Sequence, residues 1–226
     1  MRGLFITGVG TEVGKTYVAC LIARQLRESG LRVGVYKPAA SGCLPSADGL
    51  ESEDAVALWE VAGRPLSLDA VCPQRFAAPL APHLAAREES KRIDPELLRR
   101  GLDPWLEASD VVLVEGAGGL MSPLSDEDYN LDLALELGLP AVVVAANRLG
   151  AINDTLQTLI TAGANELSVA GVVLNEIAPA TDQSGETNAE EIAVRADAPL
   201  LCRVAWQGDF DREVDWQALA RASSLT

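Results

Sequence analysis

The stretch Gly3-Leu-Phe-Ile-Thr-Gly-Val-Gly-Thr-Glu-Val-Gly-Lys-Thr16 decides the fold. It runs from a short apolar segment, Leu4 to Ile6, through a glycine-punctuated loop into Lys15-Thr16, which opens a helical pattern with Val18, Leu21, Ile22 and Leu26 on one face. Strand, loop and helix in that order make a phosphate-binding loop. Glycines let successive backbone N–H groups turn toward one anion, Lys15 supplies a positive charge, the Thr16 hydroxyl can ligate Mg²⁺, and the helix dipole points its positive end at the same place. Gly8 and Gly14 enclose five residues where the common form has four, so the loop is a lengthened variant.

Outward from this stretch the chain repeats one rhythm, an apolar run that ends in a special residue. The runs are Val33 to Tyr36 before Lys37, Val111 to Val114 before Glu115, Ala141 to Ala146 before Asn147, Val169 to Leu174 before Asn175, and Leu200 to Val204. Runs this short and this continuously apolar read as buried parallel strands. Helical patterns alternate with them: Glu53 to Val61, Pro95 to Leu106 with Asp94 as N-cap, Leu131 to Leu137, Ile152 to Ala162, and a closing helix over Asp211 to Ala222. The segments Ser41 to Gly49, Cys72 to Pro82 and Ala178 to Thr187 are rich in Pro, Gly, Ser and Asp and read as loops. The expected fold is a single α/β domain over residues 1–226, a doubly wound, mostly parallel sheet with helices on both faces, with ligands beyond the carboxyl ends of its strands.

Charge narrows the partners. With 33 acidic against 18 basic side chains the net charge is −15, which repels nucleic acid and anionic membrane surfaces, so phosphate must be held by local features. An acidic body also suits an amine substrate, although solubility alone explains such a charge. Cys20, Cys43, Cys72 and Cys202 are scattered without a C-x-x-C pair and His83 is the sole histidine, so neither a zinc site nor a disulfide framework is expected. No apolar run approaches the roughly 20 residues that cross a bilayer, and no signal-peptide pattern opens the chain; a soluble cytoplasmic protein is expected.

Three residues beyond the loop stand out. Glu115 tips an apolar strand and is followed by Gly-Ala-Gly-Gly, the setting of a Mg²⁺-binding acid, though a solvated strand end has the same look. Lys37 leaves the second strand and meets Pro38, which halts regular structure and aims the lysine at the ligand crevice; an ordinary surface lysine is the alternative. Asp54 sits at a helix start, where the helix dipole by itself favours an acid. His83 has no partners at catalytic spacing and reads as structural or surface.

Taken in order, the segments Thr7-Gly8 with Thr11 to Thr16, Tyr36 to Gly42, Ala81 to Ala86, Val114 to Gly119, Ser122 to Ser125, Leu149 to Asp154 and Gly171 to Asn175 resemble the dethiobiotin synthetase family over almost the whole length. The resemblance implies a ligase of biotin biosynthesis that uses ATP and Mg²⁺ to close a cyclic urea from 7,8-diaminononanoate and CO2. Carried over, it implies that Glu12, Val13, Gly14, Lys15, Thr16 and Tyr17 wrap the nucleotide phosphates and that Thr16, Asp54 and Glu115 hold Mg²⁺. Lys37 and Lys15 would be catalytic, Lys37 on the carbamate or the transferring phosphoryl group. Thr11 and Ser41 would contact the diamine, and Gly116, Ala117 and Gly118 would line the phosphate and substrate pocket. Asn175, Glu176, Val204, Ala205 and Trp206 would face the adenine. The family also pairs as homodimers, with Gly150, Ala151 and Asn153 contributing substrate contacts across the interface. Where many relatives carry an acid in the loop, this chain has Gly10.

Two other readings meet mismatches. A glutamine-dependent synthetase of corrin amidation needs an attached glutaminase, but the residues after Val204 leave no room for one, and the sole histidine precedes Cys202. A partitioning-type switch ATPase carries a second lysine early in the loop, but residues 8–14 contain none.

Overall fold

The computed structural model describes residues 2–179 and 184–221. Six strands form one parallel sheet: β1 Gly3–Gly8, β2 Val33–Tyr36, β3 Val111–Gly119, β4 Ala141–Ala146, β5 Val169–Asn175 and β6 Leu200–Val204. Their order across the sheet is β6-β5-β4-β1-β3-β2, with every neighbouring pair parallel. All six expected strands are therefore present, and helices cover the sheet as the alternation requires. β1 lies between β3 and β4, so the chain winds first toward β2 and then back past β1 in the other direction. The crevice opened by that reversal lies at the carboxyl ends of β1 and β3, where the phosphate loop leaves β1.

The helices are α1 Lys15–Glu28, α2 Glu53–Val61, α3 Leu68–Val71, α4 Pro82–Glu88, α5 Pro95–Arg100, α6 Asp103–Ala108, α7 Asn130–Leu137, α8 Ala151–Ala164, α9 Ser184–Arg195 and α10 Trp216–Leu219. The apolar stripe of α1, including Val18, Ile22 and Leu26, is buried in the same core as Leu4, Phe5, Val114 and Val142. The expected helix over Pro95 to Leu106 is broken into α5 and α6. Pro104 has no N–H to give and its ring would strike the carbonyl of Arg100, so one continuous helix cannot form. Gly101 sits at the break, where a Cβ would fall 2.2 Å from the Tyr36 hydroxyl. That hydroxyl lies 2.7 Å from Leu97 O, which also accepts from Gly101 N, and 3.1 Å from Leu98 O, the carbonyl that loses its helical amide at the break.

Three other expectations need correction. The closing helix is only α10, because Asp215 caps it, its Oδ1 accepting from Ala218 N at 2.8 Å. Asp211, meanwhile, is drawn onto Arg203 N at 2.8 Å, and Ala222 lies outside the described residues. The Ala178 to Thr187 loop gives way to α9 at Ser184, with residues 180–183 outside the described set. Asn188 of α9 is buried and donates to Asn147 Oδ1 and Arg148 O, a tertiary anchor that the local Gly, Ser and Thr content does not reveal. Within the expected Ser41 to Gly49 loop, Leu44–Ser46 begins a short antiparallel pairing with Gly49–Glu51.

The loop between β3 and α7 is stapled by charge. Arg99 of α5 donates to Asp128 Oδ1 at 2.7 Å and also pairs with Glu136 of α7, while the Ser125 hydroxyl donates to the other Asp128 oxygen. Burial pushes the Asp128 carboxyl up, but the hydrogen bonds from Arg99 and Ser125 outweigh it and hold the group below the ordinary carboxylate value. A carboxyl lowered on folding stabilises the protein above its unfolded pKa, and that contribution is lost as pH falls through the folded value. Asp128→Asn is thus expected to cost about 2 kcal/mol at pH 7. In denaturant titrations the gap from the parent should shrink steadily below about pH 4. A gap that stays constant into acid would remove the ionic staple.

Candidate active site

Gly14, the N-cap of α1, has φ +82° and no side chain caps the helix, which leaves its first amides for a ligand's oxygens. Only glycine fits here: a Cβ would lie 2.1 Å from Asn175 Nδ2, which itself donates to Val13 O at 3.0 Å. β5 thereby braces the underside of the loop. Lys15 turns back over the loop and donates to the backbone carbonyl of Gly10 at 3.1 Å.

The register of the sheet brings the charged groups together. Ile6 pairs with Glu115 and Tyr36 with Val114, so Lys37, the next residue after Tyr36, stands level with Glu115 on the neighbouring strand. Lys37 Nζ lies 2.6 Å from Glu115 Oε1 and 2.7 Å from Asp54 Oδ2. The Thr16 hydroxyl donates to the same Glu115 oxygen at 2.8 Å. Burial pushes the Lys37 ammonium down, but the charges of Glu115 and Asp54 more than offset it and leave its pKa above the ordinary lysine value. Burial likewise pushes Asp54 up, and Lys37, with help from Thr16 and Lys15, holds it below the usual carboxylate range. Lys15 goes the other way: burial lowers it, and the Glu115 charge offsets only part of that.

Thr11, Glu12, Gly14, Lys15, Thr16, Lys37, Ser41, Asp54, Glu115, Ala117 and Gly118 line one cleft of about 480 Å³, with Ala40 as an addition that the sequence did not suggest. The cleft thus gathers both lysines, both carboxylates and the two hydroxyls expected to meet the diamine. Strand β3 continues past Glu115, where the sequence suggested an end, and its register slips: Ile6 to Gly8 on β1 face Glu115 to Gly119 on β3. The two extra residues bulge Gly116, Ala117 and Gly118 away from the ladder, and Ala117 and Gly118 reach the cleft.

The remaining candidates lie to either side. Tyr17 donates to Gly208 O at 2.6 Å, and Glu176 N donates to Val204 O at 2.9 Å. Tyr17, Asn175, Glu176, Val204, Ala205 and the exposed Trp206 therefore form a shoulder on the β5–β6 side of the loop. The Glu176 carboxylate accepts from Asn147, which also binds Gly185 O. Gly150, Ala151 and Asn153 sit at the amino end of α8 and do not line the cleft. His83 lines a separate cavity of about 210 Å³ with Arg87 and Ser125. Burial pushes the Cys20 thiol, behind the loop on α1, up to about 12, so it stays protonated at neutral pH.

The donor set can be tested against Mg²⁺. Glu115 Oε2 is buried without a protein partner, an acceptor aimed at nothing else the described side chains supply. Among the described residues no group of three or more His, Cys, Asp or Glu side chains is placed to hold a metal. Two carboxylates and a threonine hydroxyl are instead what suits a hard cation that completes its shell from phosphate and water. The residues present fit Mg²⁺.

Phosphate loop, strand-borne acid and switch-point cleft define a P-loop nucleotide-binding protein. A family model described as an AAA domain matches residues 2–214. The chain is 44% identical over 211 residues to an ATP-dependent dethiobiotin synthetase BioD of Rhodopirellula baltica, covering 88% of this chain and 82% of the relative. It is 42% identical over 212 residues to that of Anaeromyxobacter dehalogenans, covering 94% and 93%. The chain belongs to the ATP-dependent dethiobiotin synthetase family. Among solved structures, the MinC:MinD complex of Aquifex aeolicus aligns with a TM-score of 0.55 at 16% identity, over 91% of this chain and 81% of that one. Chloroplast FtsY of Physcomitrella patens aligns with a TM-score of 0.52 at 18% identity, over 97% and 63%. These two likenesses are of fold alone. No helix among the described residues is long and apolar enough to cross a membrane.

Proposed function

We propose that one ATP-binding ligase domain converts 7,8-diaminononanoate, CO2 and ATP into dethiobiotin, ADP and phosphate in the cytoplasm. One amine adds to CO2 and loses a proton, forming a carbamate. A carbamate oxygen then takes the γ-phosphoryl group as the bond to ADP breaks, and the neighbouring amine attacks the activated carbonyl, closing the ring as phosphate leaves. The observation that carries this reading is the meeting of Lys15, Lys37, Thr16, Asp54 and Glu115 in one cleft with Thr11 and Ser41.

No protein nucleophile is required, since phosphoryl transfer depends on positioning and on neutralising spread charge. The loop amides and Lys15 bind the β- and γ-oxygens, while Lys37 neutralises the carbamate or the transferring phosphoryl group. Thr11 and Ser41 orient the diamine so that ring closure is effectively unimolecular. Thr16, Asp54 and Glu115 would hold Mg²⁺, which when bound screens the triphosphate charge. The shoulder formed by Asn175, Glu176 and Val204 to Trp206 takes the adenine.

The protein acts as a homodimer, as the family resemblance implies: Gly150, Ala151 and Asn153 stand outside the cleft of their own chain, and pairing would carry them to the substrate of a second copy. Exposed apolar side chains beside them support this: Leu149 is 83% and Ile160 70% exposed. Light scattering that finds only a monomer at assay concentration would remove those contacts.

The deciding experiment incubates the purified protein with the diamine, bicarbonate, Mg²⁺ and ATP. Mass spectrometry is expected to find the cyclic urea together with ADP. Phosphate release that ignores the diamine would point to a switch ATPase instead.

A further inference from the structure

We propose that Asn130 is a positioning residue that sets the Gly116 to Ser122 wall between the cleft and its neighbouring cavity; only the kinetic half of its test rests on the ligase reading. Asn130 is the first residue of α7 and is fully buried. Its Oδ1 accepts from Ala117 N at 3.1 Å, and its Nδ2 donates to Ala117 O at 2.7 Å, Gly119 O at 2.8 Å and Ser122 O at 3.2 Å. This is the inventory that a bulged segment needs. Where β3 leaves the ladder, its main-chain groups lose regular partners, and a buried amide side chain replaces them with one acceptor and two N–H donors.

The fit is close. A Cβ on Gly116 would fall 2.3 Å from Asn130 Oδ1, so the strand passes against the amide only because that residue is glycine. Asn130 is itself fixed by the cap of α7, in which Tyr129 N donates to Asp132 Oδ2 at 2.7 Å, and by Leu131 N donating to Leu120 O at 3.0 Å. The wall it holds has two faces. Ala117 and Gly118 line the cleft, whereas Gly119 to Ser122 line a second cavity of about 360 Å³ shared with Asp154 and Thr158 of α8. Asn130 reaches neither cavity, and it acts through the backbone it holds.

Aspartate at 130 keeps the volume and the acceptor but turns the donor that meets three carbonyls into a second acceptor. In the full-length Asn130→Asp protein, hydrogen exchange across residues 117–122 is expected to quicken by about tenfold or more while β1 and β4 keep their protection. ATP should bind at the parental stoichiometry by calorimetry. Turnover per ATP-binding site should fall on the order of 100-fold, since a wall displaced by about 1 Å spoils alignment of the reacting groups. A residue that served stability alone would lower the number of binding sites and leave turnover per site untouched.

Parental exchange over 117–122, or turnover per site within about threefold of the parent, overturns the proposal. Should Asn130→Asp not yield folded protein, Asn130→Ser, which keeps one donor, is expected to show the same local exchange with about a tenfold loss per site, and parental values in it are equally fatal. If the parent itself makes no diamine-dependent product, the ligase reading fails while the exchange comparison still decides whether Asn130 holds the wall.

Discussion

Lys37→Gln is expected to lower turnover by on the order of 100-fold or more and to make stability depend on Mg²⁺. Both effects come from one position. The ammonium sits between Glu115 and Asp54, and its removal leaves Glu115, 1% exposed, with only the Thr16 hydroxyl. Stripping one partner from a buried ion pair costs about 3–5 kcal/mol. A domain with about 5–15 kcal/mol of stability stays folded over most of that range, and counting only folded molecules makes a drop in turnover a measure of catalysis rather than of unfolding. Added Mg²⁺ should restore part of the lost melting temperature by satisfying the same carboxylates. Turnover within tenfold of the parent would contradict the role given to Lys37, and a melting curve indifferent to Mg²⁺ would contradict the metal set.

The second large effect concerns the loop itself. Gly14→Ala places a Cβ in a left-handed residue, which costs about 1–2 kcal/mol in backbone strain. The greater consequence is steric. At 2.1 Å from Asn175 Nδ2, the new carbon forces either Asn175 off Val13 O or the loop off β5. A shift of about 1 Å in the loop misaligns its amides and Lys15, and we expect ATP affinity to weaken by about 100-fold in calorimetry. Asn175→Ala alone loses the brace on Val13 and its own side of the nucleotide site, so the double variant is compared with that single variant: with the clashing amide gone, adding Gly14→Ala should cost much less than it does in the parent. An equal cost in both backgrounds would mean that strain at residue 14, rather than the Asn175 collision, governs the site.

Much of this was legible because short-range rules carried it. The short, continuous apolar runs read as buried parallel strands, and the spacing of Gly8, Gly14, Lys15 and Thr16 specified a loop at the end of one of them. Lys37 and Glu115 were readable as candidates because each directly follows such a run. Other features depend on partners far away in the chain. Pro104 split a helix that an apolar pattern had joined, although its missing N–H could have been weighed from the sequence. Asn188 held α9 to Asn147 in a region whose composition suggested a loop. Asn130 gave no local signal, since an asparagine at a helix start looks like ordinary capping until the bulge in β3 brings Ala117 and Gly119 to it.

By itself the sequence determined the strands, the phosphate loop and the family, because these rest on backbone geometry and residue type within a few positions. The resemblance implied that Thr16, Asp54 and Glu115 share one metal, whereas tertiary structure alone decided that Lys37 stands between the two carboxylates and that the glycine wall is held from α7. Strand order and register place residues 78 positions apart, such as Lys37 and Glu115, within hydrogen-bonding distance, and no local pattern encodes which strand will lie beside which.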